Sequence, residues 1–153
     1  MLNQLKSARE QTVYFFLAVL FWVVVDYTTA FNPNFGDWVA HMPLIWVFYT
    51  AYPALFALLI FQRKWSGLRL FAAMIVTASL FEILICKNTL LTTFPILLIM
   101  IMIPIAIAIY TWITYVPKWI VEGRVKENKA VTIIVAVVWL AVAVLSYKTR
   151  VGA

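Results

Sequence analysis

Residues 13–31 read VYFFLAVLFWVVVDYTTAF, and this stretch decides the fold class. It is long enough for one membrane crossing, because about 20 apolar residues in a helix span about 30 Å of hydrocarbon. Further apolar stretches follow at residues 43–61, 70–86, 90–116 and 130–147. The sequence therefore predicts an all-α, polytopic integral membrane protein with five transmembrane helices. Because these stretches use most of the chain, residues 1–153 are predicted to form a single transmembrane domain with no soluble domain.

The composition favours the same fold class. Hydrophobic residues make up 65% of the chain and charged residues 12%, whereas soluble domains average about half and about a quarter. The net charge of +6 would be compatible with nucleic-acid binding in a soluble protein. Here the cations flank apolar stretches, so membrane topology and attraction to anionic lipids explain them. The lipid bilayer is therefore a predicted partner, and nucleic acid is not.

The lysines and arginines alternate along the chain in a way that predicts orientation. Counted from the N-terminus, the first, third and fifth segments outside the apolar stretches carry two, three and four cations. The second, fourth and sixth segments carry none, one and two. Short, positively charged loops are retained in the cytoplasm. We therefore expect a cytoplasmic N-terminus and an outside C-terminus, in the plasma membrane.

Ionisable side chains are predicted to gather toward the outer side of the membrane. Intramembrane charges are unfavourable and mark a functional site by default. Asp26 and Glu82 occur late in the first and third stretches, each roughly 20 Å from the cytoplasmic end at about 1.5 Å per residue. Both helices would run in the same direction. The candidate polar site comprises Asp26, Asp37, His41, Glu82 and Lys87.

This candidate site has four interpretations. The first is a structural ion pair or interhelical hydrogen bond, such as Lys87 with Asp26. The second is a proton or cation pathway through Asp26 and Glu82. The third is a metal site that uses the i, i+4 spacing of Asp37 and His41, although one histidine suits Mn, Fe or Zn poorly unless other chains contribute. The fourth is general-base catalysis by His41, which has no candidate nucleophile at a recognisable spacing.

Aromatic residues indicate where the chain meets the membrane interfaces. Asp37 is expected to cap a short interfacial helix that runs from Trp38 to His41, and Trp38 fits the outer aromatic belt. The fourth stretch would be about 40 Å long as a straight helix, so its cytoplasmic end is expected to protrude. The predicted anchors of that end are spaced i, i+3 and i+7: Trp112, Tyr115 and Trp119.

No motif in the sequence names a reaction. The nucleophile motif Gly-x-Ser-x-Gly and the zinc motif His-Glu-x-x-His are missing, and one cysteine, Cys86, cannot form a redox pair. No catalytic residue, metal or cofactor is predicted. The leading prediction is a small, non-catalytic membrane subunit that assembles as a homo-oligomer or with other membrane subunits. The alternatives are ion or solute transport through Asp26 and Glu82, and an intramembrane enzyme based on His41.

Overall fold

The chain folds into a bundle of helices. The computed structural model describes residues 2–80 and 96–152, which contain α-helices and π-helical turns but no strand. Helix α1 comprises Leu2–Asp26 and continues as a π-helical turn, Tyr27–Phe31. Helix α2 comprises Phe35–Ala57 and continues as a π-helical turn, Leu58–Gln62. The helices that follow are α3 (Gly67–Leu80), α4 (Ile96–Val121) and α5 (Lys129–Val151).

Four of the described helices are long and apolar enough to cross a membrane. Their candidate spans are Ser7–Phe31, Ile45–Gln62, Met102–Val121 and Lys129–Val151. A helix suits this environment because its backbone polar groups pair within the segment. The all-α part of the prediction is thus confirmed for the described residues. The predicted third span, residues 70–86, ends outside the described residues, so the count of five stays a prediction.

Two hydrogen bonds bring three segments together at one end of the bundle. The side-chain amide of Gln62 donates to the side-chain oxygen of Gln11 (3.3 Å). The Tyr115 hydroxyl donates to the Gly67 carbonyl oxygen (3.5 Å). The start of α1, the α2–α3 turn and the last part of α4 therefore share this end, which we call the basic end. It contains most of the lysines and arginines.

The opposite end of the bundle joins α1 to α5. The guanidinium of Arg150 donates to the backbone carbonyl oxygens of Thr29 (3.1 Å) and Asn32 (3.3 Å). Helix α5 therefore runs from the basic end to the end that holds the α1–α2 connection. Helix α4 runs the other way, so the described helices α1 and α2, and likewise α4 and α5, are antiparallel pairs.

Aromatic side chains form the centre of the core. The Trp22 ring of α1 lies 4.5 Å from the Tyr52 ring of α2 and 5.7 Å from the Tyr110 ring of α4, measured between centroids. Both contacts are edge-to-face, an arrangement that aromatic quadrupoles favour. The hydroxyls of Tyr52 and Thr114 form a buried hydrogen bond of 2.8 Å. Apolar contacts and one polar contact thus fix α2 against α4.

The predicted short interfacial helix is wrong, because α2 begins at Phe35 and runs without interruption into the apolar stretch. Asn34 is the N-cap residue, and Asp37 lies in the first turn, where an acid interacts favourably with the helix dipole. Pro43 is inside the helix and cannot donate to the carbonyl oxygen of Val39.

Candidate functional site around Asp26

Asp26 is half-buried at the point where α1 changes from an α-helix to a π-helical turn. The indole Nε1 of Trp38 donates a hydrogen bond to Asp26 Oδ2 (3.2 Å). The Tyr49 hydroxyl donates to the same oxygen. Both donors belong to α2, on one face of the helix, because 11 residues are close to three turns. The carboxylate therefore joins α1 to α2.

Threonine hydroxyls shape the π-helical turn beside Asp26. Thr28 Oγ1 donates to the carbonyl oxygen of Val24 (2.7 Å), and Thr29 Oγ1 donates to that of Val25 (2.8 Å). Such bonds from threonine to the carbonyls of the preceding turn often bend a helix. Thr28 Oγ1 also accepts a hydrogen bond from the indole Nε1 of Trp139 in α5 (3.0 Å). One π-helical turn thus connects α1 to α5.

Aromatic rings surround the indole of Trp38. The Trp38 ring lies 5.3 Å from the Tyr27 ring and 5.5 Å from the Phe35 ring, measured between centroids. The tyrosine comes from the π-helical turn and the phenylalanine from the start of α2. These contacts hold the indole where its N–H reaches Asp26.

Among the described residues, neither His41 nor Asp37 forms a hydrogen bond to Asp26, although His41 lies near enough to interact with its charge. The His41 ring packs on the Phe31 ring at 5.1 Å between centroids. Asp37 is exposed, and within residues 2–80 and 96–152 it has no ion-pair partner. No group of three or more His, Cys, Asp or Glu side chains in these ranges could hold a metal ion. The predicted pairing of Asp26 with Glu82 or Lys87 lies outside the described residues.

The predicted anchors of α4 pack partly inside the bundle. The Trp112 ring lies 5.0 Å from the Phe21 ring and stacks on the Trp139 ring at 5.4 Å with an interplanar angle of 17°. Trp119 is 9% exposed, and its ring lies 5.7 Å from that of Tyr115. Pro117 does not end the helix, which continues to Val121. The headgroup level of these rings stays a prediction.

Comparison of the chain with protein-family models, with curated proteins and with solved structures gives no match. The arrangement around Asp26 is therefore interpreted from its own geometry.

That geometry holds the Asp26 side chain between two helices. An indole N–H and a phenol O–H both donate to one of its carboxyl oxygens. Sequence reasoning identified Asp26 and Trp38 but missed Tyr49, because a tyrosine inside an apolar stretch is common in membrane helices. The available signal was the 11-residue spacing from Trp38, which places both donors on one helix face.

Proposed function

We propose that the protein is a small, non-catalytic integral membrane subunit that assembles as a homo-oligomer or with other membrane subunits. In this proposal the chain crosses the plasma membrane five times, with its N-terminus in the cytoplasm and its C-terminus outside. The common location of the first, third and fifth cationic segments at the basic end supports this orientation, because positive loops are retained in the cytoplasm.

The observation that carries the proposal is an apolar seam on α5. Only 6% of the α5 span is buried inside the bundle. Its exposed residues include a row with alternating spacings of four and three, the a and d pattern of a coiled coil. These seam residues are between 42% and 59% exposed: Ile133, Val137, Leu140, Val144, Tyr147 and Val151.

The seam faces away from the rest of the bundle. On the opposite side of α5, Val135 is buried and Trp139 stacks on Trp112. The seam is also regular in its chemistry, since Val137, Val144 and Val151 occupy every a position. The d positions are Ile133, Leu140 and Tyr147, so the seam matches only in part the pattern of a β-branched residue at a and leucine at d that favours two-stranded packing. Two copies related by a two-fold axis would place identical seams against each other.

Two polar contacts inside the described spans favour a structural role over transport, whereas the buried Tyr14 hydroxyl has no hydrogen-bond partner among the described residues. Asp26 accepts hydrogen bonds from Trp38 and Tyr49, and Tyr52 pairs with Thr114. A cavity of about 180 Å³ lies between α3 and α4, and apart from Ser79 its lining is apolar or aromatic. An ion pathway would instead place ionisable groups along a water-filled cavity.

Mass measurement in lipid nanodiscs tests the proposal. We expect the full-length protein to form a closed homo-oligomer or to co-purify in a fixed ratio with another membrane protein. Leu140→Ala removes a seam side chain and should shift the assembly toward the monomer. Leu145→Ala is the matched control, because Leu145 is 63% exposed on the same helix but lies off the seam. A wild-type protein that is monomeric and has no partner would refute the proposal.

A further inference from the structure

The α2–α3 turn concentrates positive charge without any acid of its own. Arg63, Lys64 and Arg69 are all exposed. Within the part of the chain that the structure describes, none of the three pairs with a carboxylate. The only acid near the start of α1, Glu10, is engaged in an interaction of its own. The turn therefore presents three cations that form no ion pair with a described carboxylate.

The other cationic loop at the basic end is partly neutralised. Lys118 Nζ lies 2.6 Å from a carboxylate oxygen of Glu122, and Arg124 Nε lies 2.7 Å from one of Glu127. The hydrogen bond to Glu127 raises the pKa of Arg124. One cation in the last turn of α4 and one in the α4–α5 loop therefore form ion pairs within the chain. The basic end is therefore not uniformly cationic, because the unpaired charge of its described residues is concentrated in the α2–α3 turn.

The backbone holds the α2–α3 turn in one geometry. The N–H of Arg63 donates to the carbonyl oxygen of Leu58 (3.0 Å), and the N–H of Trp65 donates to that of Leu59 (2.9 Å). Gly67 has a φ of +53°, a conformation that glycine adopts without strain. The Trp65 side chain is half-buried against the core. The three cations are thus displayed from a fixed scaffold.

Apolar residues between the cations identify the kind of ligand. Leu68 is 80% exposed, the largest exposure among the described large apolar residues, and it immediately precedes Arg69. A purely ionic ligand would neutralise the charges but would leave this leucine in water. A phospholipid both neutralises the cations and covers Leu68, because its phosphate lies at the level of the cations and its acyl chains begin just below.

We propose that the α2–α3 turn, residues 63–69, is a binding site for an anionic phospholipid. Arg63, Lys64 and Arg69 contact the phosphate-bearing headgroup, and Leu68 inserts at the boundary between headgroups and acyl chains. Trp65 anchors the turn at the same level. The site exists on whichever side of the membrane the basic end faces, so it does not depend on the orientation or on the oligomeric state.

Native mass spectrometry of the full-length protein tests this site with two probes, phosphatidylglycerol and phosphatidylcholine. We expect the wild type to retain phosphatidylglycerol preferentially. The double variant Arg63→Gln/Lys64→Gln should lower that retention on the order of tenfold, because each cation near an anionic surface contributes to binding. The matched control is Lys126→Gln/Lys129→Gln, which removes the same charge from exposed positions at the same end. This control should change the retention of phosphatidylglycerol little.

Two outcomes would overturn the lipid site. If both double variants lost the same amount of phosphatidylglycerol retention, the overall positive charge of the basic end, rather than the turn, would bind the lipid. The second outcome concerns Leu68→Asn, which keeps all three cations. We expect this variant to lower phosphatidylglycerol retention and to leave the weak binding of a soluble polyglutamate peptide unchanged. If wild-type protein bound the peptide more tightly than the lipid, and Leu68→Asn affected neither, the turn would be a docking site for an acidic protein.

Discussion

The guanidinium of Arg150 donates a hydrogen bond to the backbone carbonyl oxygen of Thr29, 121 residues earlier in the chain (3.1 Å). A second hydrogen bond reaches the carbonyl oxygen of Asn32 (3.3 Å). The last carbonyls of a helix have no partner inside it, and they carry the negative end of the helix dipole. Arg150, near the end of α5, donates hydrogen bonds to carbonyls at the end of the first helix and places a positive charge at the negative end of its dipole. The first and last helices are thus connected by charge as well as by packing.

Arg150→Gln should therefore lower the free energy of unfolding by about 1.5 kcal/mol, the lower end of the range for hydrogen bonds that involve a charged group. Denaturant titration in detergent micelles, followed by tryptophan fluorescence, measures this change. Lys148→Gln is the control, since Lys148 is exposed near the same end and loses the same charge. Equal destabilisation by both variants would show that net charge, rather than the contact with α1, is responsible.

Asp26 and Tyr49 should be energetically coupled. We expect Asp26→Asn and Tyr49→Phe each to lower the melting temperature, and the double variant to lower it by less than the sum. The expected coupling is about 1 kcal/mol, since interhelical hydrogen bonds in membranes contribute modestly. Asp37→Asn removes an exposed acid near the same end of the bundle and should lower stability by less than about 0.5 kcal/mol, the size of an exposed interaction with the helix dipole.

The same variants separate the structural role of Asp26 from transport. If Asp26 carried ions, Asp26→Asn would abolish a proton or cation flux in proteoliposomes and leave the melting temperature unchanged. Loss of stability without a change in flux is the result that we expect.

The orientation of the chain should be visible by cysteine labelling in sealed cells. Ser66→Cys and Gly36→Cys are placed separately in a Cys86→Ser background, and both positions are exposed. A membrane-impermeant maleimide should label position 36 from outside and position 66 only after permeabilisation, because the α2–α3 turn is expected in the cytoplasm. Labelling of position 66 in intact cells would reverse the orientation.

Sequence patterns predicted the helices better than the contacts between them. The apolar stretch at residues 13–31 covers the second half of α1 and the π-helical turn that follows it, and α1 starts earlier because a helix can extend beyond hydrocarbon into polar surroundings. The interfacial helix capped by Asp37 was wrong, because the chain turns in three residues and α2 starts at Phe35. A local capping rule cannot detect that the following helix already includes these residues.

The partners of Asp26 could be predicted only in part. The sequence places Asp26 in the outer part of the first span, and a nearby charge or hydrogen-bond donor is then expected. The donors that the structure shows are Trp38 and Tyr49, which depend on how α1 and α2 rotate about their axes. That rotation follows from packing around Trp22 and from the π-helical turn after Asp26. Neither is encoded in a short motif.

Cysteine cross-linking along α5 tests the proposed assembly most directly. Single cysteines replace Ile133, Ile134, Val137, Leu140, Val144 and Leu145 in the Cys86→Ser background, and an oxidant is added in membranes. If two α5 seams face each other, disulfide-linked dimers should form at positions 133, 137, 140 and 144, and cross-linking should be weak at 134 and 145. Strong cross-linking at 134 and 145, or none at any position, would contradict assembly through the α5 seam.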